Sequence, residues 1–195
     1  LALDFARLDL QALTGREGRT SLDGRIEATG VIDTLVAPEG SVLLVLGPGV
    51  FRGVHMDTLR LQAQVRDSLL TVDTVWVTGS GMILAGAGTL GWARPHRGRM
   101  ALALEADNLE QLDSLAQEVT GFARDTLPGW RALNGVLRVN AQVAGSLDSL
   151  EATGEGSLRG FMFEHFHANA LAVTGSWIGG ARPQLALRAQ LDSMN

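Results

Sequence analysis

Two histidines, His165 and His167, stand two residues apart, a spacing that on a β-strand points both rings to one face and could begin a metal site. Glu164 points to the other face and no third donor lies nearby, so the pair reads as polar residues on a strand surface. Gly86-x-Gly88-x-x-Gly91 has the form of a dinucleotide fingerprint, but that motif needs a strand before it and a helix after it. Here Trp92-Ala93-Arg94-Pro95 follows, which is strand and turn, so the glycines read as relief of crowding where a sheet bends. The carboxylates are scattered singly, without a pair spaced for general acid/base work. The serines sit in turns with no histidine in a recognisable arrangement. With no cysteine in the chain, thiolate nucleophiles, thiolate metal sites and disulfides are excluded. The residues imply no catalytic, cofactor or metal site, and no enzyme.

If side-chain chemistry does not carry the function, surface must. The chain is 46% hydrophobic and only 19% charged, too apolar for a disordered tract. Its apolar content is Leu, Val and Ala, with aromatics at 5% and no tyrosine, which suits a smooth apolar surface better than a ring-lined pocket. A net charge of −5 excludes nucleic acid as a partner, because no basic stripe exists to neutralise phosphates. The nearest basic cluster, Arg94 to Arg99 (RPHRGR), reads as a hairpin turn. No apolar run approaches the roughly 20 residues that span a bilayer as a helix. Leu1 stands in mid-pattern, and the expectation is a segment of a longer protein.

The elements that must build that surface are strands. Leu59, Leu61, Ala63 and Val65 alternate with Arg60, Gln62, Gln64 and Arg66, a clean period of two. Met100, Leu102, Leu104 and Ala106 repeat the pattern, as do Leu137, Val139, Ala141 and Val143 against Arg138, Asn140 and Gln142. Asp67-Ser68 forms a tight hairpin, and the return strand from Leu70 to Thr78 carries Val72 and Trp76. Turn signals recur about every 8 to 15 residues, which gives an antiparallel meander of about ten strands. One segment departs from this. Leu109, Leu112, Leu115, Ala116, Val119, Phe122 and Ala123 fall at spacings of three and four, between a cap at Asp107 or Asn108 and a stop at Pro128-Gly129. One amphipathic helix is therefore expected near residues 107–127. It divides the chain into a β-module at 1–106, a helix at 107–128 and a further β-module at 129–195.

The two β-modules resemble each other. LALDF at Leu1, LALEA at Leu102 and LALRA at Leu185 are three copies of one strand, 101 and 83 residues apart. Leu22-Asp23-Gly24 matches Leu133-Asn134-Gly135, Ile32-Asp33-Thr34-Leu35 matches Leu147-Asp148-Ser149-Leu150, and Arg52-Gly53 matches Arg159-Gly160, in the same order. Leu133-Asn134-Gly135 before an alternating strand, Gly145-Ser146-Leu147-Asp148-Ser149-Leu150, and then Gly154-Glu155-Gly156-Ser157-Leu158 resemble the TamB/AsmA-like family of bacterial envelope proteins. The helix start Asn108-Leu109-Glu110-Gln111-Leu112 and the strand Gly86 to Gly91 share its style, whereas Glu118 to Arg131 is longer and more charged than the family's helix exit.

That resemblance implies a mainly β fold, a long curved antiparallel meander forming an open groove or a taco-like sheet. It also implies periplasmic localisation in the bacterial cell envelope, anchored to the inner membrane by segments elsewhere. The implied role is phospholipid transport or outer-membrane biogenesis, the partners being phospholipid acyl chains and an outer-membrane β-barrel assembly protein of the BamA/TamA type. On this reading the groove is lined by Leu59, Leu61, Val65, Leu102, Leu104, Leu137, Val139, Leu185 and Leu187. The competing reading is a structural or adhesive extracellular β-repeat scaffold of the autotransporter-passenger kind. Such solenoids repeat every 20 to 30 residues or so, far shorter than the offsets found here.

Overall fold

Alternating Leu/Val and polar residues, broken by short Gly, Asp and Ser turns, favour hairpins stacked edge to edge, and such a stack is what the chain forms. The computed structural model describes residues 1–8, 20–31, 39–51, 54–107, 134–163, 166–179 and 184–194. Thirteen strands occur among them: β1 (Ala2–Leu8), β2 (Thr20–Val31), β3 (Glu39–Leu46), β4 (Gly49–Phe51), β5 (Val54–Met56), β6 (Thr58–Arg66), β7 (Leu69–Gly79), β8 (Met82–Gly91), β9 (Gly98–Ala106), β10 (Asn134–Ser146), β11 (Ser149–Phe163), β12 (Phe166–Ile178) and β13 (Gln184–Met194). The surplus over the expected ten or so is mainly β4 and β5, three residues each, which carry the β3–β6 hairpin past Gly47-Pro48.

The strands form one open sheet in the order β13-β12-β11-β10-β9-β8-β7-β6-β3-β2-β4-β5, with β1 also paired to β2. Its neighbouring ladders are antiparallel, and among the described residues no ladder joins β13 to β1. Connections between sequential strands are short where the turn chemistry is strong. Asp67 and Ser68 both take positive φ (51° and 59°), as do Ser80 and Gly81 (53° and 71°), the two-residue hairpin geometry whose twist matches the strands it joins. No helix occurs among the described residues. The helix expected near 107–127 lies outside them except for Asp107, a bend whose N–H donates to the Gly81 carbonyl at 2.9 Å. The sheet is continuous across that segment, because β9 and β10 pair directly from Ala106–Leu137 to Gly98–Gly145.

One end of the sheet is fastened turn to turn. The Trp92 N–H donates to the Ser68 carbonyl (2.8 Å) and the Leu147 N–H to the Gly91 carbonyl (2.9 Å). The Arg94–Arg99 cluster is the β8–β9 turn and the start of β9. Arg97 pairs with Glu151 at 3.0 Å and Arg94 with Asp148 at 3.8 Å. Beneath them Ser146, 2% exposed, gives its hydroxyl to Asp148. Buried hydrophobic side chains are few. Leu22, Leu46 and Met56 form a cluster with Phe5, Leu44, Leu59 and Val77 packed against it, and Ala63, Val72, Leu90, Ala106 and Leu158 are buried elsewhere.

Candidate functional site

Register decides which residues share a face, because partners on neighbouring strands lie side by side and residues two apart on one strand repeat the face. Leu46 is opposite Leu59, Leu59 opposite Val77, Val77 opposite Leu84, Leu84 opposite Leu104 and Leu104 opposite Val139. A parallel row runs through Leu44, Leu61, Val75, Gly86, Leu102 and Ala141. Further along the strands Met82, Ala106, Leu137 and Leu158 make another. Val65 lies two rows from Leu61, between Gly40 and Leu70. Leu185 and Leu187 fall opposite Trp177 and Gly175, which places them at register positions of the same rows. The nine residues singled out from sequence thus occupy one set of rows, together with Leu44, Val75, Val77, Leu84, Met100 and Val173, which the sequence reading did not count among the liners.

The alternate positions carry the opposite character. Arg60, Gln62, Gln64, Arg66, Glu105, Arg138, Asn140 and Gln142 are exposed. On that face Arg138 donates to Glu105 at 2.9 Å. The hydrogen bond holds the Glu105 carboxyl below its ordinary value and raises the Arg138 guanidinium. Asp148, at the fastened end, is lowered first by the Ser146 hydroxyl and further by Arg94.

A β-bulge in β7 keeps the apolar face unbroken. Gln62 pairs with Thr74 and Ala63 with Val72, so Asp73 is an extra residue, and the β7–β8 ladder shifts at the same place. The bulge returns Val75 and Val77 to the face of Val72. Trp76, grouped with Val72 by simple alternation, is instead on the polar face opposite Arg60 and Ala85, 43% exposed.

The glycines of the dinucleotide-like motif lie within β8, with no helix after them. A Cβ on Gly86 would meet Leu102 Cδ2 at 2.5 Å and Val75 Cγ1 at 3.0 Å, so those side chains lie across the space that the glycine leaves open. Gly88 has φ +142° and abuts the Arg99 carbonyl. Both are packing positions. Leu46 lies over Gly24 in the same way, and Leu158 over Gly135, with approaches of 2.7 and 3.1 Å to a Cβ placed there. Gly24 and Gly135, the glycines that close these two matches of the internal repeat, therefore share a packing role. After them the copies differ: β3 breaks at Gly47-Pro48, whereas β11 runs on through Arg159 to Phe163.

No family model, curated protein or solved structure matches this chain. What the site can do must come from its own surfaces. The seven sequence-predicted liners whose side chains are described, from Leu59 to Val139, are half-buried, none of them among the core residues. Eleven strands at about 4.8 Å and five rows at about 6.7 Å make the apolar face roughly 48 Å by 27 Å, or about 1,300 Å². The chain exposes 13,024 Å² in all, against about 8,900 Å² for a compact monomer of 20.7 kDa.

A hollow of about 770 Å³ lies on the other face, floored by Ala85, Ala87, Ala101 and Ala103 and edged by Asn140, Gln142, Thr153, Glu155 and Thr174. Small side chains create that hollow, and polar ones rim it. Among the described residues no three His, Asp or Glu side chains gather as a metal site. Glu164 and His165 lie outside the described residues, and His167 is opposite Met162.

Proposed function

We propose that this chain is a section of an apolar β-groove that shields phospholipid acyl chains, in a bacterial envelope protein of the AsmA-like/TamB type. The observation that carries the reading is the apolar face of about 1,300 Å², continuous across the sheet and only half-buried. Soluble monomers rarely expose a contiguous apolar patch above about 300–600 Å², so a face more than twice that size calls for an occupant. Acyl chains fit it because Leu, Val and Ala offer contact without polar partners. The rows run across the strands, so an apolar tail moving along a row crosses strand after strand of similar character. The internal repeat is consistent with a sheet extended by adding hairpins. On this reading the protein works in the periplasm, held at the inner membrane by other segments, and meets an outer-membrane β-barrel assembly protein.

Lipid analysis by mass spectrometry tests it. The protein produced in a bacterial envelope should carry phospholipid through purification. Leu104→Arg, which puts a charge in the middle of the face, should cut the bound lipid at least tenfold while the circular dichroism of the sheet is unchanged. A protein that purifies free of lipid, or a Leu104→Arg variant that keeps its lipid, would defeat the proposal.

A further inference from the structure

The polar face has a second surface whose chemistry differs from that of the groove. Asn140 stands opposite Ala103 and Glu155, and Glu155 opposite Thr174. The same row continues through Ala85 to Trp76. The hollow of about 770 Å³ lies along this row, crossing five strands, about 19 Å. Trp76 stands on β7, one strand beyond the hollow along the same row, and is 43% exposed, with Ile83 and Val45 also exposed on this face. Nothing in the core explains an indole there, since the bulge at Asp73 turns Val75 and Val77 inward and leaves Trp76 out.

The rim groups are also unspent. Glu105 and Glu151, on this same face, each hold an arginine. Glu155 has no ion pair among the described residues, and the side chains of Asn140, Gln142, Thr153 and Thr174 have no hydrogen-bond partner there. Two carboxamides that both donate and accept, two hydroxyls and an acceptor-only carboxylate therefore surround a shallow floor of alanine. An exposed aromatic ring in line with such groups, three strands or about 14 Å from Asn140, matches a long ligand with apolar C–H faces and many hydroxyls.

We propose that this hollow and the row leading to Trp76 bind an uncharged oligosaccharide, one sugar ring stacked on Trp76 and rings further along the row hydrogen-bonded to Asn140, Gln142 and Glu155. The carboxylate selects hydroxyl donors and repels acidic sugars. The site is on the face opposite the proposed lipid groove, so the two ligands do not compete.

Isothermal titration with the linear hexamers of glucose and of N-acetylglucosamine tests this on the intact chain. At least one hexamer should bind. Trp76→Ala should weaken it at least tenfold and Trp76→Phe should restore most of the loss. Asn140→Ala with Glu155→Gln should weaken it comparably. All of these positions are exposed, so the variants should keep the wild-type circular dichroism, and Leu104→Arg should bind sugar as the wild type does. Failure of the wild type to bind either hexamer, or equal binding by Trp76→Ala, would overturn the proposal. So would loss of sugar binding in a folded Leu104→Arg protein, which would place the sugar on the wrong face.

Discussion

Asp67 and Ser68 take positive φ without being glycine. Non-glycine residues occupy that region at a cost, and Asn-Gly is the pair that best suits a two-residue turn of this kind. Replacing Asp67-Ser68 by Asn-Gly should therefore stabilise the protein by about 0.5–1 kcal/mol, read as a higher urea midpoint at unchanged slope. Glu105 and Asp148 set the response to acid. Both carboxyls are lowered in the folded protein, Glu105 by the hydrogen bond from Arg138 and Asp148 by the Ser146 hydroxyl. Their contribution is complete above the unfolded-state values near 4 and disappears as pH falls through the lower folded values. Thermal midpoints measured from pH 7 down to pH 2 should fall in that acid window. A Glu105→Gln, Asp148→Asn double variant should start lower at pH 7 and fall less steeply. If the two curves stay parallel, these carboxyls do not set the acid response.

At the scale of the strand, the β7 bulge is decisive. Alternation carried straight through Leu70 to Thr78 puts Val72 and Trp76 together, yet the structure places them on opposite faces, because Asp73 is extra in both flanking ladders. Deleting Asp73 would leave Val72, Val75 and Val77 two apart on one face, whereas inserting an alanine between Thr74 and Val75 would turn Val75 and Val77 to the solvent face or force the ladder to slip. The insertion should cost about 2–4 kcal/mol, visible as a lower denaturant midpoint and faster limited proteolysis near β7. An insertion variant as stable as wild type would mean that the facing of Val75 and Val77 is incidental. Gly88 makes a second test, with its φ of +142° and its approach to the Arg99 carbonyl. Gly88→Ala should cost about 1–3 kcal/mol and leave lipid binding intact in the protein that folds. Neither feature was legible as such. A bulge changes the period locally without changing composition, and glycines in a row of alanines obscure the alternation of β8.

For the whole molecule, what matters is that one layer of sheet has two unlike faces. A sheet closed into a sandwich would bury its inner rows, but Leu59, Leu61, Leu102, Leu104, Leu137 and Val139 are half-buried. The delipidated protein should accordingly raise the fluorescence of a naphthylamine dye, and added phospholipid should displace it. No dye response would point to a closed core.

The alternation by itself determined a good deal here. The period of two in β6, β9 and β10 identified strands and seven face residues, whereas the register of β12 with β13 put Leu185 and Leu187 in matching rows. Local sterics are enough for the former, since side chains on a strand alternate whatever the strand pairs with. Only the tertiary structure decided that all these strands join one open sheet, that β9 pairs with β10 across the intervening segment, and that Trp76 leaves the apolar face. Those outcomes depend on register between residues far apart in the chain, which no local pattern of hydrophobicity encodes.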